Sequence, residues 1–152
     1  MKNVLVLGSG AREVAIVRSL SQSLIENSIF CISKDINPQI SRLCKDYFVS
    51  DVEAVSSIVA YSKEKEIDLA IIGPENPLAS GVVNELELVG VRCVGPKKEV
   101  AMIEASKSFA RTIIDLCCPE KNPKRREFSS ACLLYTSDAA DEGLGVDLGG
   151  RR

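Results

Sequence analysis

Val4-Leu5-Val6-Leu7-Gly8-Ser9-Gly10-Ala11-Arg12-Glu13 sets the reading of the whole chain. Four consecutive aliphatic residues stopped by glycine have no polar face, which predicts a strand covered on both sides and therefore central in a parallel sheet. The glycines let the backbone turn and approach a ligand closely. A helix follows from near Ala11, because Val14, Val17, Leu20 and Leu24 recur at helical spacing. Ile29-Phe30-Cys31-Ile32, within Ser28 to Ser33, predicts the next strand and completes a strand-helix-strand unit.

The alternation continues along the chain. Lys34 to Lys45 contains Pro38 near the start of a short helix, and Tyr47-Phe48-Val49 reads as an edge strand. Ser50-Asp51-Val52-Glu53 matches a capping box and predicts a helix beginning there, with Val52, Val55, Val59 and Ser62 as its buried stripe and an end near Glu66. Leu69-Ala70-Ile71-Ile72 is another strand running into glycine. In Gly73-Pro74-Glu75-Asn76-Pro77-Leu78, Asn76 is a good N-cap and Pro77 a good first helical residue. Leu78, Val82, Leu86 and Val89 form the apolar face of that helix, and Gly90 is suited to stop it. Val91 to Val94 predicts a fifth strand, and helical pattern returns from Lys97 to about Leu116. This order predicts an α/β protein, Rossmann-like, with a mostly parallel sheet and helices on both faces.

With 152 residues, 45% apolar and 26% charged, the chain has the composition of an ordinary globular domain. Its net charge of −2 is dispersed, which gives a nucleic-acid partner no support. Charged or polar residues interrupt every apolar run before bilayer-spanning length, and the amino terminus lacks the pattern of a signal peptide, so a cytoplasmic chain without membrane contact is expected. There is no histidine. Ser-His-Asp and Cys-His catalysis and a histidine base are thereby excluded. Of six cysteines, Cys31, Cys44 and Cys93 fall at apolar core positions, which predicts reduced thiols; without a Cys-x-x-Cys pair, no metal site is expected. From about residue 119 neither period is sustained, and from about 131 the run Cys132-Leu133-Leu134-Tyr135-Thr136-Ser137-Asp138-Ala139-Ala140 looks like translated adaptor or vector sequence; this tail is assigned no function.

Three motifs carry chemistry. The amides of Gly8, Ser9 and Gly10, with Arg12 and Glu13, lie where a helix start favours an anion. Glu13 occupies the place of the third small residue in the dinucleotide fingerprint, and its charge disfavours the pyrophosphate of NAD. Gly73, Pro74 and Glu75 follow a second strand on the same sheet edge, so the two loops are expected to form opposite walls of one crevice, with Glu75 either facing a ligand or supporting its own helix. Lys107, in Glu104-Ala105-Ser106-Lys107, sits at a helix start where the dipole opposes it unless an anion is near; a solvated surface lysine is the plain alternative.

Taken in order, Gly8-Ser9-Gly10-x-Arg12-Glu13, Ile67-Asp68-Leu69, Gly73-Pro74-Glu75-x-Pro77-Leu78, Gly95-Pro96 and Glu104-x-Ser106-Lys107-x-Phe109-Ala110 resemble the amino-terminal, pre-ATP-grasp domain of the phosphoribosylamine-glycine ligase (glycinamide ribonucleotide synthetase) family, over residues 1 to about 118. The resemblance implies an ATP-dependent C–N ligase of de novo purine (IMP) synthesis, with 5-phosphoribosylamine and glycine as substrates. ATP and Mg2+ would be held mostly by later domains that this chain lacks, leaving it inactive alone. It also implies residues 1–105 as the substrate-binding domain, 106–118 as the start of the ATP-grasp portion and 119–152 as an irregular tail. Gly8, Ser9, Gly10, Arg12, Glu13, Gly73, Pro74 and Glu75 would then bind substrate, and Lys107 would touch nucleotide phosphate. The chain departs from the family at Val14, where a histidine is usual, at Ser33-Lys34-Asp35-Ile36-Asn37-Pro38, where a Pro-Gly-Asn loop is usual, and at Ala105 in place of glycine. A stand-alone nucleotide-binding Rossmann module, or the corresponding domain of another ATP-grasp enzyme, is the competing reading.

Overall fold

The computed structural model describes residues 1–123; the run from residue 131 read as foreign lies outside the described residues. Two compact units divide the chain, Met1–Ala110 and Arg111–Arg152. In the first, β1 (Lys2–Leu7), α1 (Ala11–Ser21), β2 (Asn27–Ser33), α2 (Pro38–Ser41), β3 (Asp46–Val49), α3 (Val55–Glu64), β4 (Leu69–Ile72), α4 (Glu75–Ser80), α5 (Val82–Leu88), β5 (Arg92–Val94) and α6 (Lys98–Ala105) alternate as expected. A further helix, α7 (Lys107–Cys117), crosses the division. In the second unit the Asn122 side chain donates to the Arg111 carbonyl at 3.0 Å and to Asp115 Oδ1 at 2.6 Å.

All strand pairs are parallel and the order is β3-β2-β1-β4-β5. The run that has no polar face thus lies in the middle, and Val4, Leu5, Val6 and Leu7 are all buried. Their alternation feeds two cores. Leu5, Leu7, Phe30 and Ile32 pack with Ile58 of α3, Leu78 of α4, Val82 and Leu86 of α5 and Ala101 of α6. On the other face Val6, Ile29 and Cys31 pack with Val17 of α1 and Ile40 of α2. Each fully buried aliphatic side chain contributes about 1.5–3 kcal/mol, so the doubly covered strands anchor the fold. Tyr47, Phe48 and Val49 are half-buried or exposed, as befits the edge strand they were expected to be.

Several local expectations are overturned by tertiary partners. Leu24 is not part of the α1 stripe but fully exposed. The helix ends at Ser21 because Asn27 Nδ2 donates to the Leu20 carbonyl at 3.0 Å and to the Ile25 carbonyl at 2.9 Å. The capping box at Ser50 does not form: the Ser50 amide extends the sheet to the Ser33 carbonyl, and the Glu53 amide is taken by Asp51 Oδ1 at 3.0 Å. Helix α3 therefore starts at Val55, and its buried side is Ile58, Tyr61 and Ser62. Asn76 is not an N-cap; α4 starts two residues earlier than expected, at Glu75 and not Pro77, and Asn76 Nδ2 donates instead to Glu53 Oε1 at 3.0 Å. The single helix expected to run on to Val89 is two, broken at Gly81, whose φ of 89° is left-handed and suits glycine. The helix expected from Lys97 to Leu116 is also two, separated by extended Ser106. Among the described residues no helix is long and apolar enough to cross a membrane. Cys31, Cys44, Cys93, Cys117 and Cys118 are free thiols.

Candidate functional site

β1 and β4 are neighbours, and between them the direction in which successive strands are added reverses. Loops leaving such a pair diverge to opposite faces and open a crevice at the carboxyl ends of the strands, the usual ligand position in open α/β sheets. Here that crevice has a volume of about 480 Å³. It is lined by Gly8 through Glu13 from the first loop, Gly73, Pro74 and Glu75 from the second, Ser33 at the end of β2, and Lys34 and Val52 from the loops after β2 and β3. The structure brings together all eight residues expected from the first two motifs. Lys107 is not among those lining the crevice; it opens α7, where Ser106 Oγ caps the helix by accepting from the Phe109 amide at 3.2 Å.

The first loop is held from three sides. Gly8 donates its amide to the Ile32 carbonyl at 2.8 Å and has φ 107°, so its turn requires glycine. Asn37, which caps α2 by accepting from the Gln39 amide, donates its side-chain amide to the Ser9 carbonyl at 2.8 Å. Tyr47 in turn holds the Asn37 segment: its hydroxyl donates to the Asp35 carbonyl at 2.9 Å and accepts from the Asn37 amide at 3.2 Å. Burial raises the Tyr47 pKa, so this hydroxyl remains a neutral donor. On the second side, Arg12 Nη1 donates to the Gly73 carbonyl at 2.5 Å, and Nη2 is 4.0 Å from Glu75 Oε1.

Glu13 provides the third support and explains why the fingerprint is broken here. Its side chain is only 5% exposed, and Oε2 accepts from the Gly10 amide at 2.6 Å. A Cβ on Gly8 would lie 3.1 Å from the Glu13 carboxyl carbon, one on Gly10 would lie 2.8 Å from Oε2, and one on Gly73 would collide with the carboxylate outright. Three glycines thus leave room for one carboxylate that fills the seam between the two loops. A charge-assisted hydrogen bond offsets the cost of burying it. The outer part of the crevice presents Arg12, Lys34 and Glu75, all exposed.

Ser33, Lys34 and Val52 were not anticipated. The rule that ligands bind at carboxyl strand ends points to the residues after β2 as well as to those after β1 and β4, but only the strand order shows that β2 is next to β1 on the side that reaches the crevice. Below the loop, Cys31 donates its thiol to the Gly8 carbonyl at 3.5 Å. Its pKa is raised, first by the hydrogen bond with Cys44 and then by burial, which keeps it a protonated packing group and not a nucleophile. Among the described residues no three carboxylate or thiol side chains gather in a way that could hold a metal ion.

The family model described as "Phosphoribosylglycinamide synthetase, N domain" matches residues 2–104. Among curated proteins the chain is 45% identical over 141 residues to the phosphoribosylamine--glycine ligase of Methanocella arvoryzae, covering 91% of this chain and 32% of that protein. It is 39% identical over 127 residues to the enzyme of the same name from Methanococcoides burtonii, covering 84% of this chain and 29% of the relative. The chain therefore spans about a third of the length of these relatives. Among solved structures, phosphoribosylglycinamide synthetase from Anaerococcus prevotii superposes with TM-score 0.61 at 14% identity, over 76% of this chain and 28% of that one. N5-carboxyaminoimidazole synthetase from Staphylococcus aureus, complexed with ADP, superposes with TM-score 0.61 at 12% identity, over 95% of this chain and 36% of that one. At such identities the superpositions establish the shared fold.

Proposed function

The chain belongs to the phosphoribosylglycinamide synthetase N-domain family, and on that ground we propose that its crevice binds the phosphoribosylamine substrate of an ATP-dependent ligase that joins glycine to 5-phosphoribosylamine. The observation that carries the reading is the pairing of two loops at the switch between β1 and β4, with Arg12 and Glu75 4.0 Å apart on one rim. Chemically the two walls differ. The Gly8 to Arg12 side offers backbone amides and a guanidinium, which suit a phosphate, while Glu75 offers a carboxylate for an amine or for ribose hydroxyls. One Arg12 N–H is engaged by the Gly73 carbonyl, so the guanidinium is pre-oriented across the cleft with its remaining N–H groups available.

In the whole ligase, ATP activates the glycine carboxylate as an acyl phosphate and the sugar amine attacks it, releasing phosphate as the amide forms. These residues hold and orient the amine for that attack, a contribution from proximity that does not require them to move a proton. ATP contact falls to Lys107 in this assignment, at the start of α7 and not among the residues that line the crevice. Among the described residues no three carboxylate or thiol side chains gather to hold magnesium. Glu13, buried where a dinucleotide pyrophosphate would pack, opposes the competing reading of an NAD-binding module.

Titration of the chain with ribose 5-phosphate and, separately, NADH tests the assignment. Ribose 5-phosphate is expected to perturb the amides of Gly8 to Arg12 and Gly73 to Glu75, with Arg12→Ala weakening the effect. Micromolar NADH binding without a ribose 5-phosphate response would overturn it.

A further inference from the structure

We propose that Lys34 is the second cation of the crevice and that, together with Arg12, it clamps the phosphate of a phosphorylated pentose; this rests on the crevice being the sugar-phosphate site. Four charged side chains line the cavity: Arg12, Glu13, Lys34 and Glu75. Three of them are already engaged. Glu13 is buried on the Gly10 amide, and Arg12 lies between the Gly73 carbonyl and Glu75. Among the described residues Lys34 alone of the four makes no hydrogen bond or ion pair, and it is exposed at the mouth. A strongly hydrated ammonium in that position is a point charge without a counterion, on a flexible stem that can follow an anion into the cleft.

Its placement is set by rigid neighbours. Ser33, directly before it, is the last residue of β2, buried and in register with Val49 of β3. Beyond it, the Asp35 carbonyl and the Asn37 amide are both fixed by the Tyr47 hydroxyl. Asn37 also donates to the Ser9 carbonyl, so the segment bearing Lys34 and the glycine loop bearing Arg12 are tied together. The backbone on both sides of Lys34 is therefore anchored while its side chain is free to reach, an arrangement suited to capturing an anionic group. A phosphate monoester carries about two negative charges near neutral pH, more than one partly neutralised guanidinium balances. The neutral ribose, in contrast, gains nothing from the ammonium.

The test is an amide-resolved NMR titration of the full chain and of Lys34→Met and Arg12→Ala with ribose 5-phosphate, ribose and inorganic phosphate. Lys34 is exposed and unpaired, so the variant should keep the wild-type melting temperature, which is checked first. Lys34→Met is expected to weaken ribose 5-phosphate about five- to tenfold, between the value of an exposed pair and that of a desolvated charged hydrogen bond, and to leave ribose unchanged. Lys34→Arg should retain most of the affinity. A less than twofold change in Lys34→Met, alongside a clear loss in Arg12→Ala, would overturn the role of Lys34 while leaving the crevice assignment intact. If the wild-type chain shows no crevice response to ribose 5-phosphate, both fall together. Equal weakening of ribose and ribose 5-phosphate would overturn the clamp by showing that Lys34 does not read the phosphate.

Discussion

Replacing Gly73 with alanine places a methyl group where the Glu13 carboxylate lies, and the consequence can be worked through from the geometry. The added Cβ would lie 2.7 Å from the Glu13 carboxyl carbon and 3.0 Å from its Cγ, inside contact distance. Gly73 does not have a left-handed φ, so the backbone accepts alanine and the cost is steric. Overpacking of this kind costs about 1–3 kcal/mol. Loss of unfolded-state freedom on going from glycine to alanine returns about 0.4–1 kcal/mol, leaving a net destabilisation of about 1–2 kcal/mol. Glu13→Ala by itself removes the carboxylate from the Gly10 amide and is expected to cost about 1.5–3 kcal/mol. In the double variant the clash no longer exists. Gly73→Ala should then be neutral or slightly stabilising, and the two effects should fall short of additivity by the relieved clash, about 1–3 kcal/mol. Urea denaturation followed by circular dichroism measures all four corners of the cycle; the chain contains no tryptophan, so fluorescence is a poor probe. Additivity within about 0.5 kcal/mol would refute the account of Glu13 as the group the glycines make room for.

Other perturbations follow from the same structure. Leu24→Ser should change stability by less than about 0.5 kcal/mol because Leu24 is fully exposed, whereas Val17→Ala, fully buried, should cost about 2 kcal/mol; the urea midpoints of the two decide it. Asn37→Ala removes the α2 cap and the tie to Ser9, and is expected to lower stability by about 0.5–2 kcal/mol and to broaden the amide signals of the glycine loop. Asp46 is held below the ordinary aspartate pKa, first by Lys65 and then by the Tyr61 hydroxyl. A depressed folded-state pKa contributes stability that is present above the unfolded value of about 4 and lost as pH falls below it. Since both partners are partly exposed, Asp46→Asn should lower the urea midpoint at pH 7 by the equivalent of at most about 1 kcal/mol, and the difference should shrink toward pH 3.

Much of the architecture follows from local chemistry. The unbroken aliphatic run of β1 has no face to give to water, so it demands cover on both sides, and the spacing of apolar residues after each glycine stop can be met only by alternating strands and helices. The two loops that line the crevice were visible for the same reason: each ends a strand in glycine, and ligands gather at that edge. What failed in the local reading failed where a distant group competes for the same atoms. Ser50 looks like a cap until its amide is claimed by the sheet through Ser33, and Asn76 looks like one until Glu53 takes its side chain. Leu24 fits the helical spacing, but Asn27, several residues on, ends the helix before reaching it.

Periodicity and backbone freedom are properties of neighbouring residues, so a layered α/β chain with a glycine loop after its first strand is already written in the order of the residues. That β1 lies beside both β2 and β4, which places Lys34 in the same cavity as Arg12 and Glu75, emerges from the folded chain and not from any local pattern. Strand order depends on how buried surfaces pair across the molecule, and residues 61 positions apart in the chain, such as Arg12 and Gly73, meet only once that pairing is made.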